Sequence, residues 1–224
     1  MIKLAIFDLD GTLADTVEDL ADAVNLALEQ GGFEKRSVDE IRRFVGNGTK
    51  KLIERALPNG ALQSEQEKIH KEFSSLYEQN CLNKTKLYDG INEVLKELKS
   101  GGIMCAVASN KPDAFSKRIV YSLFEREDFE LVLGKADGRK AKPAPDIVFE
   151  ILSRLDVEKS EAVIIGDSGV DTKTAKAAEL LSIGCEWGFR GREELVRSGA
   201  DFIAEKPKDI VGIIAALNNQ EFPL

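Results

Sequence analysis

The residues best suited to chemistry lie near the start of the chain, where two carboxylates follow a short apolar run. Asp8 and Asp10 come directly after Leu4–Phe7, a run typical of a strand buried on both faces. Side chains repeat every second residue in a strand, so the two carboxylates point the same way and repel each other. A bound cation with oxygen ligands relieves that repulsion. The stretch therefore favours a metal-assisted carboxylate site, with a surface turn and a partial calcium loop as alternatives.

Further polar groups follow other predicted strands, at Ser109 and Asn110, at Lys142, and at Asp167 and Asp171. Each group alone has an ordinary explanation. The first pair could cap a helix, the lysine could be a solvated surface residue with Lys140 as the alternative for its role, and the acids could belong to a turn and a first helical turn. The carboxyl ends of parallel strands meet at one edge of a sheet, so we expect all of them to converge there.

The composition limits the class of protein. A net charge of -8 over 224 residues argues against nucleic acid and anionic membranes as partners. A single histidine, His70, excludes catalytic triads and histidine-ligated metal pairs. Three scattered cysteines form no metal or disulfide pattern, which suits a reducing compartment. With no membrane-spanning or signal-like run, we expect a cytoplasmic protein.

Residues 16–82 show only helical periodicity. Thr16 is predicted to cap the first helix, which ends at Gly31. Capping boxes are predicted at Ser37 with Glu40 and at Ser64 with Glu67. Residues 45–48 break the second helix, and residues 50–57 continue the helical pattern.

The rest of the chain alternates between strands and helices. Strands are predicted at 103–108, 129–133, 162–165, 181–185 and 201–203, with helices at 91–98, at 145–155, after Asp171 and from Pro207. This alternation predicts an α/β protein with a doubly wound, Rossmann-like parallel sheet. We expect a core domain of residues 1–15 and 84–224 and an inserted all-helical cap domain of residues 16–83. Hinges are expected near Asp15–Thr16 and Asn83–Thr85.

Four ordered segments resemble the motifs of the haloacid dehalogenase-like superfamily: FDLDGTLADT, ASNKP, KPAPD and GDSGVDTKTAKAA. The helical insert after the first motif is similar to that of the subfamily with a helical cap. From Tyr88 onward the chain looks most like phosphoglycolate phosphatases, and WGFRGREELVRSGADFI is one of the closest passages. One departure is Glu179, which stands after paired alanines where the family usually has glycine.

The resemblance implies phosphoryl transfer to a carboxylate. Asp8 would attack phosphorus and form an aspartyl-phosphate, and Asp10 would protonate the leaving group and later activate water. Ser109 and the backbone N–H of Asn110 would hold phosphoryl oxygens. Lys142 would bridge Asp8 and the phosphate.

The resemblance also implies Mg²⁺ as cofactor. Its protein ligands would be Asp8, the backbone carbonyl of Asp10, and Asp167, while Asp171 would orient a metal-bound water. In the predicted cap, the loop Val45–Gly48 is the candidate for substrate contact, with Asn47 as a substrate-binding residue; an ordinary turn between helices explains this loop equally well.

The expected function is Mg²⁺-dependent hydrolysis of a small phosphate monoester such as phosphoglycolate. One alternative is a sugar phosphomutase, which shares the four motifs and the helical cap. Another is a phosphoacceptor signalling domain, but Asp10 and the insert fit better with hydrolysis of the intermediate. The absence of a P-loop means that ATP is not expected as a cofactor. The oligomeric state stays open.

Overall fold

A six-stranded parallel sheet forms the centre of the computed structural model, which describes residues 1–219. In chain order the elements are β1 (Leu4–Phe7), β2 (Ala14–Asp15), α1 (Val17–Gln30), α2 (Val38–Phe44), α3 (Thr49–Ala56), α4 (Gln63–Asn80), β3 (Lys86–Leu87), α5 (Ile91–Ser100), β4 (Met104–Pro112), α6 (Asp113–Leu123), β5 (Leu131–Lys135), α7 (Asp146–Leu155), β6 (Ala162–Gly166), α8 (Gly169–Ala178), β7 (Leu181–Cys185), α9 (Gly191–Ser198), β8 (Phe202–Ala204) and α10 (Asp209–Asn218). The strand order is β5-β4-β1-β6-β7-β8, which is the order of a Rossmann fold with its reversal at β1. The predicted doubly wound fold is confirmed.

The central strand β1 is covered on both faces, as its sequence predicted. Ala5 and Phe7 belong to one hydrophobic cluster, together with residues of α5, α6 and α10. Leu4 and Ile6 point the opposite way into a second cluster, formed with α7 and α8. All four side chains are fully buried. This double burial fixes the register of β1 and therefore the place where the chain emerges at Asp8.

Helices α1–α4, residues 17–80, form what we call the helical insert. They lie between β2 and β3, which pair with each other antiparallel and so bring the two ends of the insert together. Within the insert, α1 packs on α2 and α4, and α3 packs on α4. These two-residue strands were not predicted, because a period of two needs a longer run to be visible. No helix in residues 1–219 combines the length and apolar character needed to cross a membrane.

Capping boxes were predicted at the starts of two helices of the insert. The box at Ser37 and Glu40 is confirmed, since each residue accepts the backbone N–H of the other, at 2.9 and 3.2 Å. The box predicted at residues 64 and 67 is wrong. Helix α4 begins earlier, and there the carboxylate of Glu65 accepts the backbone N–H of Leu62 at 2.7 Å.

Several element boundaries differ from the sequence-based expectation. Strand β4 continues to Pro112 instead of ending at residue 108, so Ser109 and Asn110 lie within the strand. Strand β5 begins at Leu131, two residues later than predicted, and Phe129 before it packs edge-on against Phe124. Helix α8 begins at Gly169, so that Asp171 lies in its first turn rather than before it. Helix α9 was not predicted, because Leu195 is its one buried residue and half of its residues are charged.

Candidate active site

The candidate site lies at the carboxyl edge of the sheet, next to the point where strand order reverses. The structure brings together predicted residues from separate strands: Asp8 follows β1, Ser109 and Asn110 lie in the last part of β4, Lys142 lies in the loop after β5, and Asp167 follows β6. Such a crevice at a switch point is where open α/β sheets bind ligands.

Lys142 is the ionic centre of this group. Its Nζ lies 3.0 Å from Asp8 Oδ1 and 2.6 Å from Asp171 Oδ1, and the residue is 5% exposed. Burial opposes its charge, but the carboxylates of Asp171 and Asp8 outweigh burial and raise the pKa of Lys142 above its usual value. It therefore stays cationic. Lys140, the alternative from the sequence, is exposed, and its backbone N–H faces Asp146.

Three acids form a cluster suited to a divalent cation. One carboxylate oxygen each of Asp8, Asp167 and Asp171 lies within 4.8 Å of the others. Burial, together with the charges of Asp171 and Asp10, raises the pKa of Asp8 to about 7 despite Lys142. Burial and the neighbouring carboxylates also raise the pKa of Asp167 well above its usual value. The negative charge of three carboxylates exceeds the positive charge of Lys142. An all-oxygen donor set suits a hard divalent ion. These residues fit such an ion.

Glycines make room for Asp167. Gly11 has φ +81°, and a Cβ there would lie 2.4 Å from Asp167 Oδ2. A Cβ on Gly188 would lie 2.2 Å from the Cβ of Asp167. The backbone N–H of Phe189 donates to Asp167 Oδ2 at 2.7 Å. The acid is thus held between two loops that only glycine allows to approach so closely.

Asp10 has a separate set of partners. Thr16 is the N-cap residue of α1, as predicted, but its Oγ1 donates to Asp10 Oδ1 at 2.5 Å and makes no side-chain cap. Lys111 Nζ lies 3.0 Å from the same oxygen and donates to the hydroxyl of Tyr77, on α4, at 2.9 Å. Burial opposes the charge of Lys111, but Asp10 and Tyr77 raise the pKa of Lys111 above its usual value.

Lys111 was missed as a site residue by the sequence analysis. It is 4% exposed and lies two positions after Ser109, within the ASNKP motif. A lysine inside a phosphate-binding motif was the available signal. Its burial could not be read from the sequence, because lysines are rarely buried without a partner.

Ser109 and Asn110 connect the strands to the insert. Ser109 Oγ accepts the backbone N–H of Lys111 at 3.1 Å. The carboxamide of Asn110 accepts the backbone N–H of Lys142 at 2.7 Å and donates to the carbonyls of Lys142 and Gly46, each at 3.0 Å. The prediction concerned only the backbone N–H of Asn110. The structure adds a side-chain role in fixing the lysine loop and the insert.

The loop at residues 45–48 reaches the site through its glycines. Gly46 and Gly48 line the same pocket as the carboxylates of Asp8 and Asp10. The structure does not bring the side chain of Asn47 into this pocket: its Oδ1 accepts from Arg55 Nη2 at 2.8 Å.

Arg190 is a second residue that the sequence analysis missed. It follows Phe189 in the loop after β7, and its guanidinium donates to the carbonyls of Val45 at 2.5 Å and Arg42 at 3.3 Å. A cation at the C-terminal end of α2 also complements the helix dipole. Its place in the WGFRG passage was the available signal.

The pocket between sheet edge and insert is small, with a cavity of about 30 Å³. From the sheet edge it is lined by Asp8, Asp10, Ser109, Asn110 and Lys111. From the insert it is lined by Gly46, Gly48 and Thr49 and by the apolar side chains of Leu20, Val45 and Leu52. The arrangement offers carboxylate, hydroxyl and ammonium groups to one small polar molecule.

Comparisons with known proteins agree with this geometry. Residues 5–185 match the family model described as haloacid dehalogenase-like hydrolase. Phosphoglycolate phosphatases of Vibrio parahaemolyticus and Colwellia psychrerythraea are 33% and 36% identical, covering 96% and 88% of this chain and 96% and 90% of their own. A solved candidate phosphoglycolate phosphatase of Lactobacillus delbrueckii subsp. bulgaricus is 32% identical with a TM-score of 0.89, covering 95% of this chain and 98% of its own. The chain therefore belongs to the haloacid dehalogenase-like hydrolases.

Proposed function

We propose that this protein is a Mg²⁺-dependent phosphatase that hydrolyses a small organic phosphate monoester such as 2-phosphoglycolate. The observation that carries the proposal is the Lys142 ammonium between Asp8 and Asp171, beside a small pocket that Asp10 and Ser109 also line. The phosphoglycolate phosphatases among its relatives support the substrate.

Two carboxylates would perform the reaction. An oxygen of Asp8 attacks phosphorus, the bond between phosphorus and the ester oxygen breaks, and Asp10 gives its proton to that oxygen. Asp10 then takes a proton from water as the water oxygen attacks phosphorus. The bond between Asp8 and phosphorus breaks, inorganic phosphate leaves, and both acids return to their starting forms.

Positive charge must surround the phosphoryl group, since the nucleophile and the substrate are both anions. Lys142, the Ser109 hydroxyl and the backbone N–H of Asn110 would hold the phosphoryl oxygens. Mg²⁺ would be held by the side chains of Asp8 and Asp167 and the backbone carbonyl of Asp10, next to Asp171. When bound, it supplies further positive charge to the phosphoryl oxygens.

We also propose that the helical insert acts as a cap domain, residues 16–83, on a core of residues 1–15 and 84–224. Asp19 in α1 accepts the backbone N–H groups of Lys84 and Thr85. These hydrogen bonds hold the two segments that connect the insert to the core next to each other. Closure would exclude bulk water from the reacting groups. The three cysteines are buried and unpaired, which supports the cytoplasm as the working compartment.

The test is release of inorganic phosphate from 2-phosphoglycolate, glucose 1-phosphate and AMP, each with Mg²⁺ or with EDTA. We expect the first ester to be hydrolysed best, and EDTA to stop turnover until Mg²⁺ is restored. Asp8→Asn should lose at least about 1,000-fold in kcat, or about 4 kcal/mol of barrier.

Asp137→Asn, at an exposed position after β5, is the control and should keep normal turnover. Near-normal rates in the Asp8 variant, or turnover that ignores chelation, would refute the mechanism. Conversion of glucose 1-phosphate to an isomer without phosphate release would point instead to a mutase.

A further inference from the structure

Lys111 carries a positive charge that the proposed reaction does not use. Of the described residues that line the pocket, it alone is cationic. Its ammonium group has three N–H donors. Asp10 and the Tyr77 hydroxyl receive two of them, at 3.0 and 2.9 Å. Residues 1–219 provide no third acceptor for this ammonium group, so one donor is left for a ligand.

The surroundings of Lys111 limit what that ligand can be. The cavity is small, about 30 Å³, which favours a ligand with few atoms. The insert wall opposite is largely apolar, with Leu20, Val45 and Leu52. Cationic character in the lining is therefore concentrated at Lys111, where it can meet an anionic group of the substrate.

A second feature adds to the positive potential at this end of the pocket. Helix α3 begins at Thr49, and both Thr49 and Gly48, which precedes it, line the same pocket. A Cβ on Gly48 would lie 3.3 Å from the carbonyl oxygen of Asn110, so the helix start lies beside the residue that precedes Lys111. The first N–H groups of a helix favour an anion, and here they share the pocket with a buried ammonium group.

We infer that Lys111, with the start of α3, selects phosphate esters that carry a carboxylate one or two carbons from the ester oxygen. The inference rests on the proposed phosphatase function and adds the residue that determines its specificity. Lys142 and Asp8 act on the phosphoryl group, whereas Lys111 binds the other end of the substrate. The substrate class is thus the short 2- and 3-phosphooxy carboxylates.

The test compares two esters of equal size, 2-phosphoglycolate and its neutral amide, 2-phosphoglycolamide. We expect the wild-type protein to prefer the carboxylate by about 10- to 100-fold in kcat/KM, the range for a hydrogen bond between charged groups. Lys111→Met should lower that preference at least about tenfold, mainly through KM of the carboxylate ester. Lys111→Arg, which keeps the charge, should restore part of it.

Lys135→Met is the matched control, because Lys135 lies at the end of β5 and its Nζ donates to the carbonyl of Ala136. It should leave the preference unchanged. Equal losses on both esters in Lys111→Met would assign Lys111 a structural role and overturn the inference. Equal wild-type efficiency on both esters would overturn it without any variant. Hydrolysis of neither ester would instead refute the proposed function.

Discussion

Replacing the proposed nucleophile by its neutral isostere, Asp8→Asn, should stabilise the metal-free protein. The fold raises the pKa of Asp8 from 3.8 to about 7, first through burial and then through the charges of Asp171 and Asp10. Each pKa unit corresponds to about 1.4 kcal/mol, so ionising Asp8 in the folded chain costs roughly 4 kcal/mol. Lys142 keeps its contact of 2.6 Å with Asp171, so the substitution leaves no unpaired buried cation. We expect a net gain of roughly 2–4 kcal/mol at pH 8.

The pH dependence identifies the cause. A carboxyl group with a raised pKa in the folded state stabilises the protein fully below its unfolded pKa, and this contribution is lost as pH rises through the folded value. The wild type should therefore lose stability relative to the variant between pH 4 and pH 7. At pH 4 the two should differ by less than about 1 kcal/mol.

The assay is urea unfolding in EDTA from pH 4 to pH 8, repeated with Mg²⁺. Added Mg²⁺ should stabilise the wild type more than the variant, because the variant lacks one proposed ligand. Asp137→Asn, which removes an exposed charge, should stay within about 0.5 kcal/mol of the wild type throughout. Equal stabilities of Asp8→Asn and wild type at pH 8, or a difference that does not grow with pH, would refute the reasoning.

Three further substitutions test contacts around the site. Asp19→Ala removes the acceptor of two N–H groups at Lys84 and Thr85, one of them buried, and should lower the free energy of unfolding by about 3 kcal/mol in urea titrations. A loss below about 1 kcal/mol would show that water replaces the carboxylate. Arg190→Met removes the donors to two carbonyls of the insert and should reduce kcat/KM about tenfold with a smaller change in unfolding. Unchanged kinetics would show that these hydrogen bonds do not help to hold the insert closed. Glu179→Gly should raise the melting temperature without affecting turnover, because this glutamate has φ +63°, where side chains other than glycine cost about 1 kcal/mol. A lower melting temperature would mean that the contact of Glu179 with Lys159 outweighs the backbone strain.

The sequence predicted the sheet and most of its edge because periodicity and strand-end position are local signals. Buried runs end at Asp8 and Asp167, and in a parallel sheet those ends share one side whatever the loops between them do. The choice of Lys142 over Lys140 came from the family motif, and the structure gives it a physical reason: Lys142 lies between two carboxylates and Lys140 is exposed.

Features that depend on which of several nearby partners a side chain bonds could not be predicted in this way. Thr16 has the residue type and position of a helix cap, but a carboxylate six residues earlier takes its hydroxyl. Asn47 lies between two glycines in the loop, yet Arg55 on the next helix draws its side chain away from the pocket. Both outcomes arise because a charged partner forms a stronger hydrogen bond than the local one assumed from sequence.

The same loops hold both the insert and the reacting groups in position. The carbonyls of Val45 and Gly46 are held by Arg190 and Asn110. Arg190 directly follows the residue whose N–H holds Asp167, and the Asn110 carboxamide holds the backbone of Lys142. When the insert lies in this position, the same loops fix one acid of the proposed metal site and the lysine of the phosphoryl site. Contacts of a substrate with the insert can therefore order the reacting groups without touching them, which is how binding energy distant from phosphorus can raise kcat.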